Sequence, residues 1–329
     1  MTDHRSWTPW EITPGDVGVD AGAEGLLRHL DRPDSDLREL LTRKKALVFR
    51  GFGLEGAGLD PVLDRLLPRR LAYVNGNSPR TKVGSNVYTS TEYPAEYVIS
   101  MHNELSYAAK WPTRLAFFCE IAAETGGATP LVDSALWLES LDDEVRDAFA
   151  GGVRYTQNLH GGRGLGKSWQ ATFETEDREE VNAYLGGSGA EWTWFPDGTL
   201  RVSTVRPATL RHPDTGTEVW FNQSDQWHPA ALGDETAKAL AQIMPPEELP
   251  QSVTFADGSP IPDAYVVQVR DRGLENAVDV DWRVGDLLLI DNILVAHGRR
   301  AFTGSRRVLV AHGRRAFTGS RRVLVAMTD

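Results

Sequence analysis

The chain of 329 residues contains one cysteine, Cys119, so an internal disulfide is excluded. That residue lies in the apolar run Arg114–Ala123 and reads as a small buried hydrophobe. No apolar stretch is long enough to span a bilayer, and no N-terminal segment has the pattern of a secretory signal. A soluble, cytoplasmic protein is expected. Basic residues are in the minority, with 35 Lys+Arg against 46 Asp+Glu and a formal charge of −11. Nucleic acid and anionic membrane are therefore poor partners, because both select for excess cation. What remains is ordinary globular content, 41% hydrophobic and 25% charged, enough to bury a sizeable core.

Two segments carry chemistry. His102-Asn103-Glu104 follows the β-prone run Tyr97–Met101. Side chains alternate along a strand, so His102 and Glu104 project together while Asn103 points away. A second apolar run, Asp286–Ala296, ends on His297. Two imidazoles and one carboxylate on neighbouring strands form a facial triad with three open metal positions, the arrangement of non-haem Fe(II) oxygenases. Zinc fits less well, because its catalytic sites commonly keep one open position. Thr125–Asp133 follows the first segment, and the turn Gly298–Ser305 leads from the second into Arg306-Arg307-Val-Leu-Val-Ala311. Arginine grips a carboxylate through two parallel charge-assisted hydrogen bonds. An arginine one strand from an open metal points to a small dicarboxylate co-substrate.

His102-x-Glu104, Gly126-Gly127-Ala128-Thr129 and Asp291-Asn292-(x4)-His297-(x8)-Arg306-Arg307 together resemble the taurine dioxygenase/clavaminate synthase superfamily of Fe(II)- and 2-oxoglutarate-dependent oxygenases. Gly76–Arg80 through Ser134, and Trp220–Gln223, are similar to its syringomycin-hydroxylase-like branch. The resemblance spans roughly residues 40 to 311. It implies that His102, Glu104 and His297 bind iron, and that Thr129 and Arg307 hold the distal carboxylate of 2-oxoglutarate. Arg306 is the alternative for the arginine role. O2 is the second co-substrate. The implied substrate is an amino-acid-like small molecule, free or tethered to a carrier protein, and hydroxylation is the expected outcome. Desaturation, epoxidation, cyclisation and a non-catalytic metal-retaining binding protein are the alternatives. Related halogenases have a small residue at the carboxylate position, so Glu104 argues against halogenation. Trp169-Gln170 and Asn222-Gln223 are expected in the substrate pocket on the resemblance, where polar groups in an apolar cleft would orient a ligand. Arg80 is a further candidate for a substrate carboxylate.

The expected architecture is mixed α/β and mainly β, a cupin-like double-stranded β-helix (jelly roll) with helical insertions. Residues 1–20 are expected to be loosely held, 21–311 to form the oxygenase domain, and 312–329 to be a tail. Helices are expected at Asp36–Thr42, Ser134–Phe149 and Asp234–Met244, with Ser140 and Asp143 forming a capping box that restarts the second. Ala46–Phe49 and Val153–Leu159 read as strands. Gly161-Gly-Arg-Gly-Leu-Gly166-Lys167-Ser168 matches the P-loop pattern. A P-loop follows a buried parallel strand, and Arg154–Asn158 is too polar for one, so the match is read as coincidence. His160 and His228 read as structural histidines, and His212 as part of a turn.

The C-terminus repeats itself. Val295–Leu309 recurs without a change as Val310–Leu324. The repeat offers His312 and Arg321-Arg322 as rivals to His297 and Arg306-Arg307. His297 is preferred because it alone follows the long Asp286–Ala296 strand and the Asp291-Asn292 turn. The final strand could be either Val308–Ala311 or Val323–Ala326.

Overall fold

A computed structural model describes residues 7–33, 35–71, 82–84, 87–89, 93–162, 166–232 and 245–313. Arg80, the helix expected at Asp234–Met244 and the arginine pair Arg321-Arg322 lie outside the described residues.

Leu287–Asp291 is buried along its whole length, and its neighbours explain why. It sits between Ala46–Phe49 and Arg114–Ile121, both antiparallel to it, inside an eight-stranded sheet. Alternate residues then serve two cores. Leu287 and Leu289 face Phe49, Phe118 and the helices Ala23–Leu30 and Leu59–Leu66. Leu288 and Ile290 face the other way, onto Phe117, Leu131 and Val295. Each fully buried leucine contributes roughly 1.5–3 kcal/mol of transfer free energy, so a continuous apolar run is what this position requires. Arg307–Gly313 is the next strand after Arg114–Ile121. The first copy of the repeat thus begins the last strand among the described residues, and the second copy's Val310–Gly313 continues it beyond the expected Ala311 boundary.

A four-stranded sheet runs Val278–Val280, Thr129–Asp133, Val295–Arg299 and Ile99–His102. This sheet packs on the eight-stranded one through Leu131, Val280 and Val295. Its opposite face, with Met101, Val132 and Ala296, is covered by Trp137 and by Val266 and Val269 of the helix Asp263–Glu275. A separate antiparallel sheet of Glu191–Trp194, Leu200–Arg206, Val153–Leu159 and Gln251–Phe255 flanks this layer. The chain is therefore mixed α/β and mostly β.

Three local expectations change. Residues 10–17 are not loose: Trp10–Ile12 pairs in parallel with Ala46–Phe49, and Thr13 makes a reciprocal capping box with Asp16. Ser140 does not cap the second helix, since its hydroxyl donates to Trp137 O, and Asp142 takes the N-cap position of Asp143–Phe149. The Val153–Leu159 strand before the P-loop match is antiparallel to both neighbours, which is not the geometry that a phosphate loop needs. No helix among the described residues is long and apolar enough to cross a membrane.

Candidate active site

His297 and His102 are direct partners across the Val295–Arg299 and Ile99–His102 strands. Their ring centroids are 4.3 Å apart, and His297 Nε2 lies 3.8 Å from Glu104 Oε2. One ligand atom from each of His102, Glu104 and His297 lies within 4.8 Å of the others, and all three residues are buried. The strand ends at His102, so Glu104 stands on the turn that follows rather than on the strand itself. Leu105 adopts φ 56°, a left-handed conformation costly for a non-glycine residue, and it reverses the chain immediately beyond the carboxylate. Gly298 lets the two strands close up: a Cβ there would stand 2.5 Å from Ile99 O.

The backbone of Glu104 is clamped by a residue the sequence reading used only as a landmark. Asn292 Oδ1 accepts from Glu104 N (2.8 Å), and its Nδ2 donates to Glu104 O (3.1 Å) and Pro112 O (2.8 Å). Asn103 donates in return to Asn292 O (2.7 Å) and Val295 O (3.3 Å). Asp291 Oδ1 accepts from Ile293 N and Leu294 N, tightening the turn that aims His297. These bonds tie the two halves of the triad into one buried unit. His102 Nδ1 is 3.0 Å from Ser100 O; with the proton on Nδ1 donated there, Nε2 is left as a bare donor atom.

The donor set fits a divalent ion. Two imidazoles and a carboxylate taken out of water are expensive without a cation, and two His with one carboxylate on one side of an ion leave its other face open.

Around Thr129 the two adjacent arginines separate. Arg306 turns inward: its Nε donates to Gly127 O (3.0 Å) and its guanidinium lies 5.6 Å from the Phe302 ring centroid. Burial, with the nearby charge of Arg299 added, pulls its pKa down to about 10. Gly127 has φ 71°, and a Cβ on it would come 3.1 Å from Arg306 Cδ, so glycine makes the close approach possible. Arg307, first choice on the resemblance, points outward and pairs with Glu120 at 2.8 Å, its side chain 48% exposed. Arg306 stands just before the strand that begins at Arg307, and the two side chains take different surroundings, Gly127 O for one and Glu120 for the other. Thr129 is buried, and its Oγ1 accepts from Trp282 Nε1 (3.0 Å).

The remaining candidates divide. Asn222 donates to Ala208 O and accepts from Ser224 N. Gln223 Nε2 donates to Asn103 O, so it braces the ligand segment from behind. Trp169 packs in a satellite core with Leu159, Leu185 and Leu200, and Gln170 reaches Gly161 O at 3.5 Å. His212, read as a turn residue, is buried against Asp291 at 3.3 Å. His312 is also buried, in the eight-stranded sheet, with its ring 6.1 Å from Tyr88 and not among the clustered ligands. Asn292, Arg299, Trp282 and Gln226, whose Nε2 lies 3.1 Å from His102 Nδ1, carry no signal as site residues in the readings above. Of these, Asn292 alone figures there, as part of the Asp291-Asn292 turn.

The model of the taurine catabolism dioxygenase TauD, TfdA family matches residues 11–311. The chain belongs to this family. Among its relatives, the dapdiamide synthesis protein DdaC of Enterobacter agglomerans is 37% identical, covering 82% of each chain. A clavaminate synthase-like protein of Arabidopsis thaliana is 32% identical over 83% of this chain and 82% of its own. The crystal structure of PvcB from Pseudomonas aeruginosa shares the fold, with a TM-score of 0.53 at 14% identity, covering 96% of this chain and 90% of that one. As a TauD/TfdA-family member the protein is an enzyme, a dioxygenase that uses iron, 2-oxoglutarate and O2.

Proposed function

We propose that the enzyme hydroxylates an amino-acid-like small molecule, free or carrier-tethered, in the cytoplasm as a step of specialised metabolism. The relative that takes part in dapdiamide synthesis supports an amino-acid-like substrate. The observation that carries the oxygenase assignment is the buried His102–Glu104–His297 cluster with Arg306 turned inward beside Gly127. In this reading the eight-stranded and four-stranded sheets are the two halves of a jelly roll.

His102, Glu104 and His297 would hold Fe(II), which with 2-oxoglutarate and O2 would supply the oxidising power. Arg306, in preference to Arg307, binds the distal carboxylate of 2-oxoglutarate, with Thr129 as a neutral hydrogen-bonding partner. The enclosing side chains would exclude water and position the substrate. Glu104 would serve as the carboxylate ligand, where the halogenases have a small residue, so hydroxylation is favoured over halogenation.

The test is succinate release from 2-oxoglutarate by the Fe(II)-loaded protein, first alone and then with amino acids presented free and on a carrier protein. A substrate is recognised by stimulated succinate release and the mass gain of one oxygen atom. A loss of two hydrogens would identify desaturation or cyclisation instead. Fe(II) binding without succinate under any condition would point to a non-catalytic binding protein.

A further inference from the structure

Between the flanking sheet and the helix Arg178–Gly186 lies a cleft lined by Tyr107, Tyr155, Tyr184, Trp227, Ser188 and Arg206. Its aromatic side is continuous, with Trp227 packed 4.9 Å from Tyr107 and 5.0 Å from Tyr155. Its cation is unusual. Arg206 Nε donates to Tyr107 O (3.4 Å), Nη1 to Val205 O (3.3 Å) and Nη2 to Ser188 O (3.4 Å). All three bonds are long, all three acceptors are neutral, and no carboxylate among the described residues pairs with this guanidinium. Burial holds its pKa below the usual arginine value, which the Tyr155 and Tyr184 hydroxyls only partly oppose. Arg206 is half-buried and only neutral carbonyls face its guanidinium, so an anionic ligand entering the cleft would gain a charge-assisted partner.

The lining also touches the machinery of the triad. Tyr107 is on the turn that follows Glu104. Trp227 adjoins Gln226, whose Nε2 is 3.1 Å from His102 Nδ1. Tyr155 Oη accepts from Gln223 N, and the Gln223 side chain braces Asn103 O. The free space is about 50 Å³. That is room for a few water molecules, hence for a carboxylate and a short stem but not for a ring.

We infer that this cleft is a carboxylate-binding subsite with Arg206 as its recognition group. It takes a short aliphatic acid or the acidic end of a larger molecule. The inference rests on the oxygenase reading only for its link to turnover; binding itself is independent of that reading.

The test compares butyrate with its neutral isostere butyramide by saturation-transfer NMR. The protein is loaded with diamagnetic Zn(II), and N-oxalylglycine fills the co-substrate position so that Arg306 is not available to the probe. Butyrate should bind at least tenfold more tightly than butyramide. Arg206→Gln should erase the difference, Arg206→Lys should keep part of it, and Ser188→Phe, which fills the cleft and leaves the charge, should abolish binding. Equal binding of acid and amide to the unaltered protein overturns the inference. So does a preference that survives in a folded Arg206→Gln or in Ser188→Phe. Should Arg206→Gln fail to fold, Ser188→Phe decides alone. Substrate-free succinate release by the Fe(II) enzyme then separates the two sources of the carboxylate. A rate changed by butyrate, and not in Arg206→Gln, marks the seat of the substrate's own acid. Binding without a rate change marks a separate small acid. If no succinate appears under any condition, the functional reading fails while the NMR result still stands.

Discussion

Val295-Ala-His-Gly298 and Val310-Ala-His-Gly313 are the same four residues placed in two sheets with two different fates. Both are strands, and both valines enter the core between the sheets. Both glycines lie against close neighbours, but of different kinds: a Cβ on Gly298 would meet the backbone Ile99 O at 2.5 Å, and one on Gly313 the movable Leu67 Cδ2 at 2.6 Å. The histidines differ only in their neighbours. His297 lies across from His102 and beside Glu104, whereas His312 lies opposite Leu115 with its ring against Tyr88. On the proposed reading, a metal ligand is made by what stands across the strand rather than by its own sequence window. What separates the copies is upstream: the Asp291-Asn292 turn aims the first and grips Glu104, and Arg306-Arg307 precedes the second.

The largest contrast should come from the histidines themselves. His297→Ala should abolish turnover and Fe(II) retention, because it removes one of three protein ligands. His312→Ala should keep both and lose about 2–3 kcal/mol of stability through the cavity it leaves, read by thermal melting. Equal loss of iron in the two variants would break the comparison.

Next come the arginines. Arg306→Ala should raise the 2-oxoglutarate requirement about 10- to 100-fold, the loss of a charge-assisted bond, with Fe(II) affinity unchanged. Arg307→Ala removes an exposed pair with Glu120 and should stay within about twofold. The reverse order would show that the outward arginine turns in when the co-substrate arrives.

A third contrast sharpens the role of the turn. Asn292→Ala leaves the buried Glu104 amide without its acceptor and should weaken Fe(II) binding about tenfold, the order seen when supporting partners of metal ligands are removed. Calorimetric Fe(II) titration checks this, and unchanged affinity with lowered stability would reduce Asn292 to a folding residue.

The smallest effect should come from deleting Val310–Leu324, which joins Leu309 to Val325. Val325 and Ala326 then replace Val310 and Ala311 in kind, while Met327 takes the place of His312 and Thr328 that of Gly313. Fe(II) binding and substrate-free decarboxylation should persist. The threonine meets Leu67, so the melting temperature should fall by a few degrees, about 1 kcal/mol. Loss of iron on deletion, in a protein that still melts cooperatively, would mean that the second copy supplies the site.

Much of this was legible before the structure. The His-x-Glu spacing and the long apolar run ending on His297 pointed to the triad, and the run's continuity matched burial on both faces of Leu287–Asp291. The choice between Arg306 and Arg307 was not legible. It depends on the strand's phase, and the pairing shifts register between Arg307 and Val308. Trp10–Ile12 was missed because a three-residue edge strand carries too little periodicity, and its partner lies 37 residues away at Leu47. His212 was read from its Pro-Asp-Thr-Gly turn, which hid its burial against Asp291. Trp169 was placed in the pocket by resemblance, and its local packing put it in a satellite core instead.

The central claim is that His102, Glu104 and His297 form one iron site that the repeat does not share. Anaerobic Fe(II) titration of the wild-type, His297→Ala and His312→Ala proteins, followed by 2-oxoglutarate titration of each, tests it most directly. The account predicts one Fe(II) per chain in the wild type and in His312→Ala, with 2-oxoglutarate binding strengthened by the metal in both, and neither property in His297→Ala. One Fe(II) bound by a folded His297→Ala protein, and lost in His312→Ala, would contradict it.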